Sequence, residues 1–239
     1  MNLQNQTVVV MGGSSGMGLA TVQRLAGAGA SVVATARNLD KLERAVSGIE
    51  GKVRTVALDS GDRAALDRFF STLGTFDHLV LTLSGGEGGG DFASLDIAAL
   101  RRGFEAKFWP QIEAAQSSLA ALRRGGSITF LTAISARIAN PGTSGLGAIN
   151  GAIESMIGTL ARELKPSRIN AVSPGVVDTA WWDRFPSEMK ESIFRQQAEI
   201  LPAGRVGQAS DIAHAIQFLI ENPFMTGAVI ECDGGLRLL

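Results

Sequence analysis

The sequence predicts one α/β domain built on a doubly wound parallel sheet with helices on both faces. Three observations carry that expectation. Short β-branched runs alternate with longer helical patterns along all 239 residues. The runs are continuously apolar, as strands buried on both faces are. The first run passes directly into a glycine-rich turn and then a helix, the order in which an α/β sheet opens a ligand crevice.

In chain order the strands are read at TVVVM (7–11), SVVATA (31–36), VRTVAL (53–58), HLVLTL (78–83), SITFLT (127–132), INAV (169–172) and AVIE (228–231). Helical patterns fall between them at 16–29, 39–48, 61–72, 96–123, 145–165 and 209–220. In the helix at 145–165, Ile149, Ile153, Met156, Ile157 and Leu160 form one apolar stripe. Leu146, Asn150 and Glu154, four residues apart, share a neighbouring face. In the helix at 209–220, Ser210 is the expected N-cap, and Ile212, Ala215, Ile216 and Leu219 supply the buried stripe. The stretch SGGEGGGDF (84–92) follows a strand and is expected to be a mobile loop at a site. Residues 181–205 interrupt the alternation and are expected to cover the ligand crevice, the alternative being a surface helical excursion. No repeat or linker divides the chain, so residues 1–239 are read as one Rossmann-type domain.

The composition narrows the function classes. With 22 basic and 23 acidic residues and a net charge of −1, the chain lacks the basic excess of a nucleic-acid or polybasic membrane surface. The single cysteine, Cys232, forms no internal disulfide, which suits a reducing compartment. With only His78 and His214 beside it, a Cys/His zinc site is short of ligands, and no metal is expected. MNLQNQTVVV lacks the regions of a signal peptide, and no apolar run is long enough to cross a bilayer. The expectation is a soluble cytoplasmic protein acting on a small molecule. The tyrosine count is zero.

The turn GGSSGMG (12–18) carries the first chemistry. Gly12, Gly16 and Gly18 permit a tight turn and close backbone approach. The helix N-terminus around Ser14, Ser15 and Met17 then offers free N–H groups to a pyrophosphate. The second strand ends at Arg37 and Asn38, where a carboxylate would bind an adenosine ribose. Arg37 instead presents a charged fork suited to a 2′-phosphate, which points to NADP, with NADPH preferred over NADH. The alternative is a solvated surface arginine. Asp59 and Ser60, after the third strand, are placed to hydrogen-bond an adenine edge.

These motifs, in this order, resemble the short-chain dehydrogenase/reductase family along nearly the whole chain. GGSSGMG is similar to the family's cofactor loop, with Met11 where Thr is usual, and Asp59 matches its adenine-contacting Asp. INAVSPGVVDT (169–179) is a close match to the segment after its sixth strand. The resemblance implies that Pro174, Gly175, Val177 and Thr179 bracket the nicotinamide and its phosphates. LPAGRVGQASDIAHAIQFL and MTGAVIECDGG match its C-terminal portion. It also implies a homodimer or homotetramer formed by the helices at 96–123 and 145–165.

The departures matter equally. The family passes a proton from a Tyr, whose pKa is depressed by a Lys four residues later; a Ser polarises the carbonyl and an Asn supports a relay water. Aligned on AINGAIESMIGTLAREL, Leu146 stands at the Tyr position and Asn150 at the Lys position. Ala133 stands at the Ser position, and Lys107, in FEAKFWP, at the Asn position. The enoyl-reductase spacing would give Thr143 and Asn150 and restores nothing. The Asn-Asn-Ala-Gly segment is altered to LTLSGG, which includes Ser84. Asn150 can still bind ribose hydroxyls, but it cannot acidify a neighbour by charge.

Three functions compete. The first is an NADPH-dependent reductase of an imine or activated double bond, with a rebuilt site. Lys107 is its candidate proton source, because burial or a cationic neighbour lowers an ammonium pKa; a solvated lysine is the alternative. Ser84, Thr132 and Ser135 are candidate donors. The second is a silent nucleotide-binding pseudoenzyme or regulatory subunit, and the third a non-redox lyase or isomerase on the same scaffold. Trp181, Trp182 and Phe185 either line an apolar substrate pocket or serve as packing residues.

Overall fold

The computed structural model describes residues 3–239. Seven parallel strands form the central sheet: β1 (Thr7–Met11), β2 (Ser31–Ala36), β3 (Lys52–Ala57), β4 (Phe76–Leu81), β5 (Leu122–Leu131), β6 (Arg168–Pro174) and a C-terminal strand at Val229–Cys232. Two-residue strands β7 (Val177–Asp178) and β8 (Gly207–Gln208) pair beside it, which makes the C-terminal strand β9. The spatial order is β3-β2-β1-β4-β5-β6-β9. The order reverses beside β1, which pairs with β2 on one side and β4 on the other. That is the switch point at which such sheets open a crevice.

The helices are α1 (Gly16–Gly27), α2 (Leu39–Val46), α3 (Arg63–Leu73), α4 (Ile97–Ser118), α5 (Ser144–Glu163), α6 (Ser187–Ile200) and α7 (Ala209–Glu221). The two-residue period of β1 builds both cores. Val8 and Val10 join the cluster beneath α1, α2 and α7, whereas Val9 and Met11 join the cluster beneath α3, α4 and α5. All four side chains are fully buried, which is why the run is apolar throughout.

Three expectations need correction. The helical pattern at 96–123 stops at Ser118, and Leu122 already belongs to β5. There Phe76 pairs with Leu122 but His78 pairs with Ser127, so the polar RRGG stretch is absorbed as a bulge in the ladder. Ser210 is not the cap of α7: the helix begins at Ala209, and the Gln208 N–H donates to the Asp211 carboxylate at 2.7 Å. The strand expected through residue 83 ends at Leu81, and Thr82 makes one more ladder-like bond to the Met11 carbonyl.

Arg168 fastens the far end of the sheet. Its buried guanidinium donates to the carbonyls of Leu219, Ile220, Asn222 and Met225, the terminal acceptors of α7 and its following turn. No carboxylate is among these partners; the negative end of the helix dipole compensates the charge. No helix among the described residues is long and apolar enough to cross a membrane.

Candidate active site

The crevice at the C-terminal ends of β1 and β4 is shaped by its glycines. Gly12 takes φ 87°, and the Gly12 and Gly13 N–H groups both donate to the Thr35 carbonyl at 3.0 Å. A Cβ at Gly18 would overlap the Gly12 carbonyl and the Thr82 hydroxyl, so only glycine lets α1 approach β1 and β4 this closely. Ser15 holds the N-cap position of α1 in an extended conformation without capping it by its side chain, and the first turn contains no acidic residue. Ser14, Gly16 and Met17 complete the turn. The N-terminus of α1 therefore keeps its partial positive charge for an anion.

The other cofactor candidates lie at the ends of the strands and in the segments that follow them. Arg37 is exposed beyond β2. Asn38 is committed in part, since its Oδ1 accepts the Lys41 N–H at 2.8 Å and caps α2. Asp59 is exposed and accepts the Gly61 N–H at 3.0 Å, beside a buried Ser60. Ser84 is exposed and donates to the Gly85 carbonyl at 3.2 Å. Pro174 ends β6 opposite Cys232, Gly175 packs towards Asp233, Val177 is buried in β7, and the Thr179 side chain lies over Gly16. An uncapped helix N-terminus, an exposed guanidinium and a glycine cradle that any Cβ would fill are together the features a dinucleotide requires.

The four positions aligned with the family's acid–base set converge around the end of β5. Ala133, in extended conformation, leads into a short 3-10 turn at Ile134–Ala136. Leu146 lies half-buried in the first turns of α5 against Gly89. Asn150 is 4% exposed; its Nδ2 donates to Ser135 Oγ at 3.1 Å and to the Leu146 carbonyl at 2.9 Å. Its Oδ1 is buried without a partner among the described residues, an acceptor suited to a ribose hydroxyl.

Lys107 is not the solvated lysine that was the alternative. It is 8% exposed and donates to the Thr132 carbonyl at 3.0 Å. Burial pushes its ammonium down to about 8, against a smaller opposing pull from Glu154. Only one of its three N–H donors has a partner among the described residues. The Thr132 hydroxyl donates to Glu154 Oε1 at 2.8 Å, and so is turned away from the crevice. Glu154, with a side chain 9% exposed, also accepts Arg137 Nε at 2.8 Å, and Arg137 reaches Glu231 at 2.9 Å. This chain was missed from sequence. Gln111 was missed too: its amide holds the carbonyls of Leu83 and Leu131, both at 3.1 Å, and ties α4 to the strand ends.

The glycine-rich loop expected to be mobile is fastened at several points. Gly90 N–H donates to the Gly142 carbonyl at 2.8 Å, and Gly88 is buried between Leu100 of α4 and Ile149 of α5. Trp181 Nε1 donates to the Gly85 carbonyl at 3.2 Å, and the Arg184 guanidinium lies on Gly86 while stacked 4.3 Å from the Trp181 ring. The segment expected to cover the crevice thus does touch its rim, through a 3-10 turn at Ala180–Arg184. Trp181, Trp182 and Phe185 pack on one another, and Phe194 of α6 meets Trp182 at 5.4 Å, which favours the packing role. Among the described residues, no group of three or more His, Cys, Asp and Glu side chains is placed to hold a metal ion.

Known proteins resemble the chain over nearly its whole length. A family model described as enoyl-(acyl carrier protein) reductase matches residues 12–237. The chain is 28% identical to the 3-oxoacyl-(acyl-carrier-protein) reductase FabG of Thermotoga maritima, covering 99% of both chains. It is 30% identical to the cis-4-hydroxycyclohexanecarboxylate dehydrogenase of Sinomonas cyclohexanicum, covering 96% of both. A crystal structure of a small-chain dehydrogenase in complex with NADPH superposes with a TM-score of 0.86 at 33% identity, over 98% of this chain and 99% of the other. With the fold, the glycine turn and matches that run almost end to end, the chain belongs to the short-chain dehydrogenase/reductase family of oxidoreductases.

Proposed function

We propose that the protein binds NADPH in the crevice above β1 and β4 and reduces an imine or an activated double bond, with Lys107 as the proton source. The observation that carries this reading is the burial of Lys107 at the end of β5, with a pKa near 8 and two N–H donors unused. A proton donor works best with a pKa near the working pH, and Lys107 meets that condition where Leu146 and Ala133 offer no proton. The bound nicotinamide would supply a hydride. The chain's own part is to seat the pyrophosphate at Gly12–Gly18, the 2′-phosphate at Arg37 and a ribose hydroxyl at Asn150 Oδ1. Support for the cofactor comes from the structural neighbour solved with NADPH. A homodimer or homotetramer through α4 and α5 goes with this reading.

The test is oxidation of NADPH by a panel of ketones, imines and activated alkenes, followed across pH. Turnover should favour the latter two classes and fall as pH rises through about 8, as the ammonium loses its proton. Lys107→Met should remove that limb. Turnover of Lys107→Met with an unchanged profile would return Lys107 to a structural role. A second reading, a nucleotide-binding pseudoenzyme, is favoured by the packing of Gly89 on Leu146 where the family's phenol would stand. Tight NADPH binding with no turnover of any class would support it.

A further inference from the structure

A cavity of about 510 Å³ opens between the 3-10 turn at Phe92–Ser94 and the loop 137–143. It borders the site at two residues. Ser135, in its wall, accepts from Asn150, and Gly147, also in its wall, follows Leu146 on α5. Its size suits a single small ring compound.

We propose that this cavity binds an organic ammonium ion, held by the Asp91 carboxylate and the Phe92 ring. Asp91 is the only ionisable residue in the lining, and no cation pairs with it among the described residues. Phe92 beside it is 78% exposed, an aromatic face next to a carboxylate, which is the pairing that attracts an organic cation. Ile138 and Pro141 give the apolar part of the wall, and Ser135 and Asn140 the polar part. Arg137, which precedes Ile138 of the lining, is held by Glu154 and Glu231 and so does not neutralise Asp91. The N-terminus of α5 also faces this loop without a side-chain cap. Its dipole amounts to about half a positive charge, less than the full negative charge of Asp91. The balance in the cavity is therefore negative.

This inference rests on the imine reading and narrows it to imines that carry a separate ammonium group, the C=N nitrogen still taking its proton from Lys107. The test measures binding, so it does not depend on turnover. Calorimetry on the full chain saturated with NADPH would compare cyclohexylammonium with cyclohexanol, a neutral probe of the same shape. The ammonium should bind at least about tenfold more tightly, and the preference should shrink with added salt. Asp91→Asn should abolish the preference, while Asp40→Asn, on α2, should leave it intact. Equal affinities, no detectable binding of either probe, or a preference that survives Asp91→Asn would overturn the proposal. Cation binding without hydride transfer to any imine would sink the reductase reading and leave this site standing. Imine reduction with a KM unchanged in Asp91→Asn would do the reverse.

Discussion

An ammonium kept at 8% exposure is held against its own solvation, and the cost is visible in its pKa. The folded chain holds the Lys107 proton with a pKa of about 8, against 10.5 for the free side chain. Between those values the unfolded chain binds more protons, so this group's contribution to stability rises with pH from 8 to 10.5. Below 8 the folded state carries the whole penalty, on the order of 3 kcal/mol. Lys107→Met should lift that penalty and lose one hydrogen bond to Thr132, worth about 1 kcal/mol. The variant should therefore be more stable at pH 7 by ~2 kcal/mol, read as a higher urea midpoint at equal slope. A lower midpoint would mean that the ammonium is solvated better than its burial indicates. At the other end of the crevice, Arg37 is exposed and tests cofactor choice. NADPH should bind at least tenfold more tightly than NADH, a gap of about 1.4 kcal/mol, and Arg37→Ala should erase most of it. Equal affinities in the unaltered chain would remove the 2′-phosphate assignment.

Among the elements, the start of β4 carries the clearest titration. His78 pairs with Val8 of β1 and Ser127 of β5, is 6% exposed, and bonds Ser127 Oγ at 2.8 Å and Gln6 Oε1 at 2.9 Å. Burial, with Arg168 adding to it and Asp77 opposing, lowers its pKa from 6.5 to about 4. Above pH 6.5 both folded and unfolded chains hold it neutral, and its contribution is complete. As pH falls from 6.5 to about 4 the unfolded chain takes up a proton that the folded chain refuses. The sheet should lose about 3 kcal/mol over that interval, with little further loss from this group below it. Urea unfolding at stepped pH should show this limb, and His78→Asn should flatten it; an identical limb in the variant would assign the loss to other groups. The element scale also shows where sequence was legible. β1 was read to the residue because its last four side chains are apolar and fully buried. The start of β5 was not, because Arg123 and Arg124 are exposed on a bulged edge and carry no apolar periodicity.

On the scale of the molecule, the proposed departure from the family's acid–base set can be tested as a whole. Leu146→Tyr, Asn150→Lys, Ala133→Ser and Lys107→Asn together would restore the family's groups at their aligned positions. The variant should fold and bind NADPH, yet reduce small activated ketones weakly. Gly89 already packs on Leu146, and a misplacement of about 1 Å can cost 10²-fold. Reduction at an ordinary family rate would show that the loop yields easily and that the side chains alone were decisive. The cofactor turn was legible because its glycine spacing is local. The chain of Glu154, Arg137 and Glu231 was not, since its partners lie as far as 94 residues apart and leave no pattern in either segment. That distance has a further consequence in the way the sheet is closed. The outer partner of β6 is β9, and α6 and α7 must both emerge between them. During synthesis the growing chain therefore carries β6 with one side open, and Arg168 waits for carbonyls that have yet to be made. An open strand whose residues are all buried in the finished fold is a surface on which nascent chains stick to one another. A ribosome that stalls between α6 and β9 would release such a surface, and the cell would meet this protein first as a client for its chaperones.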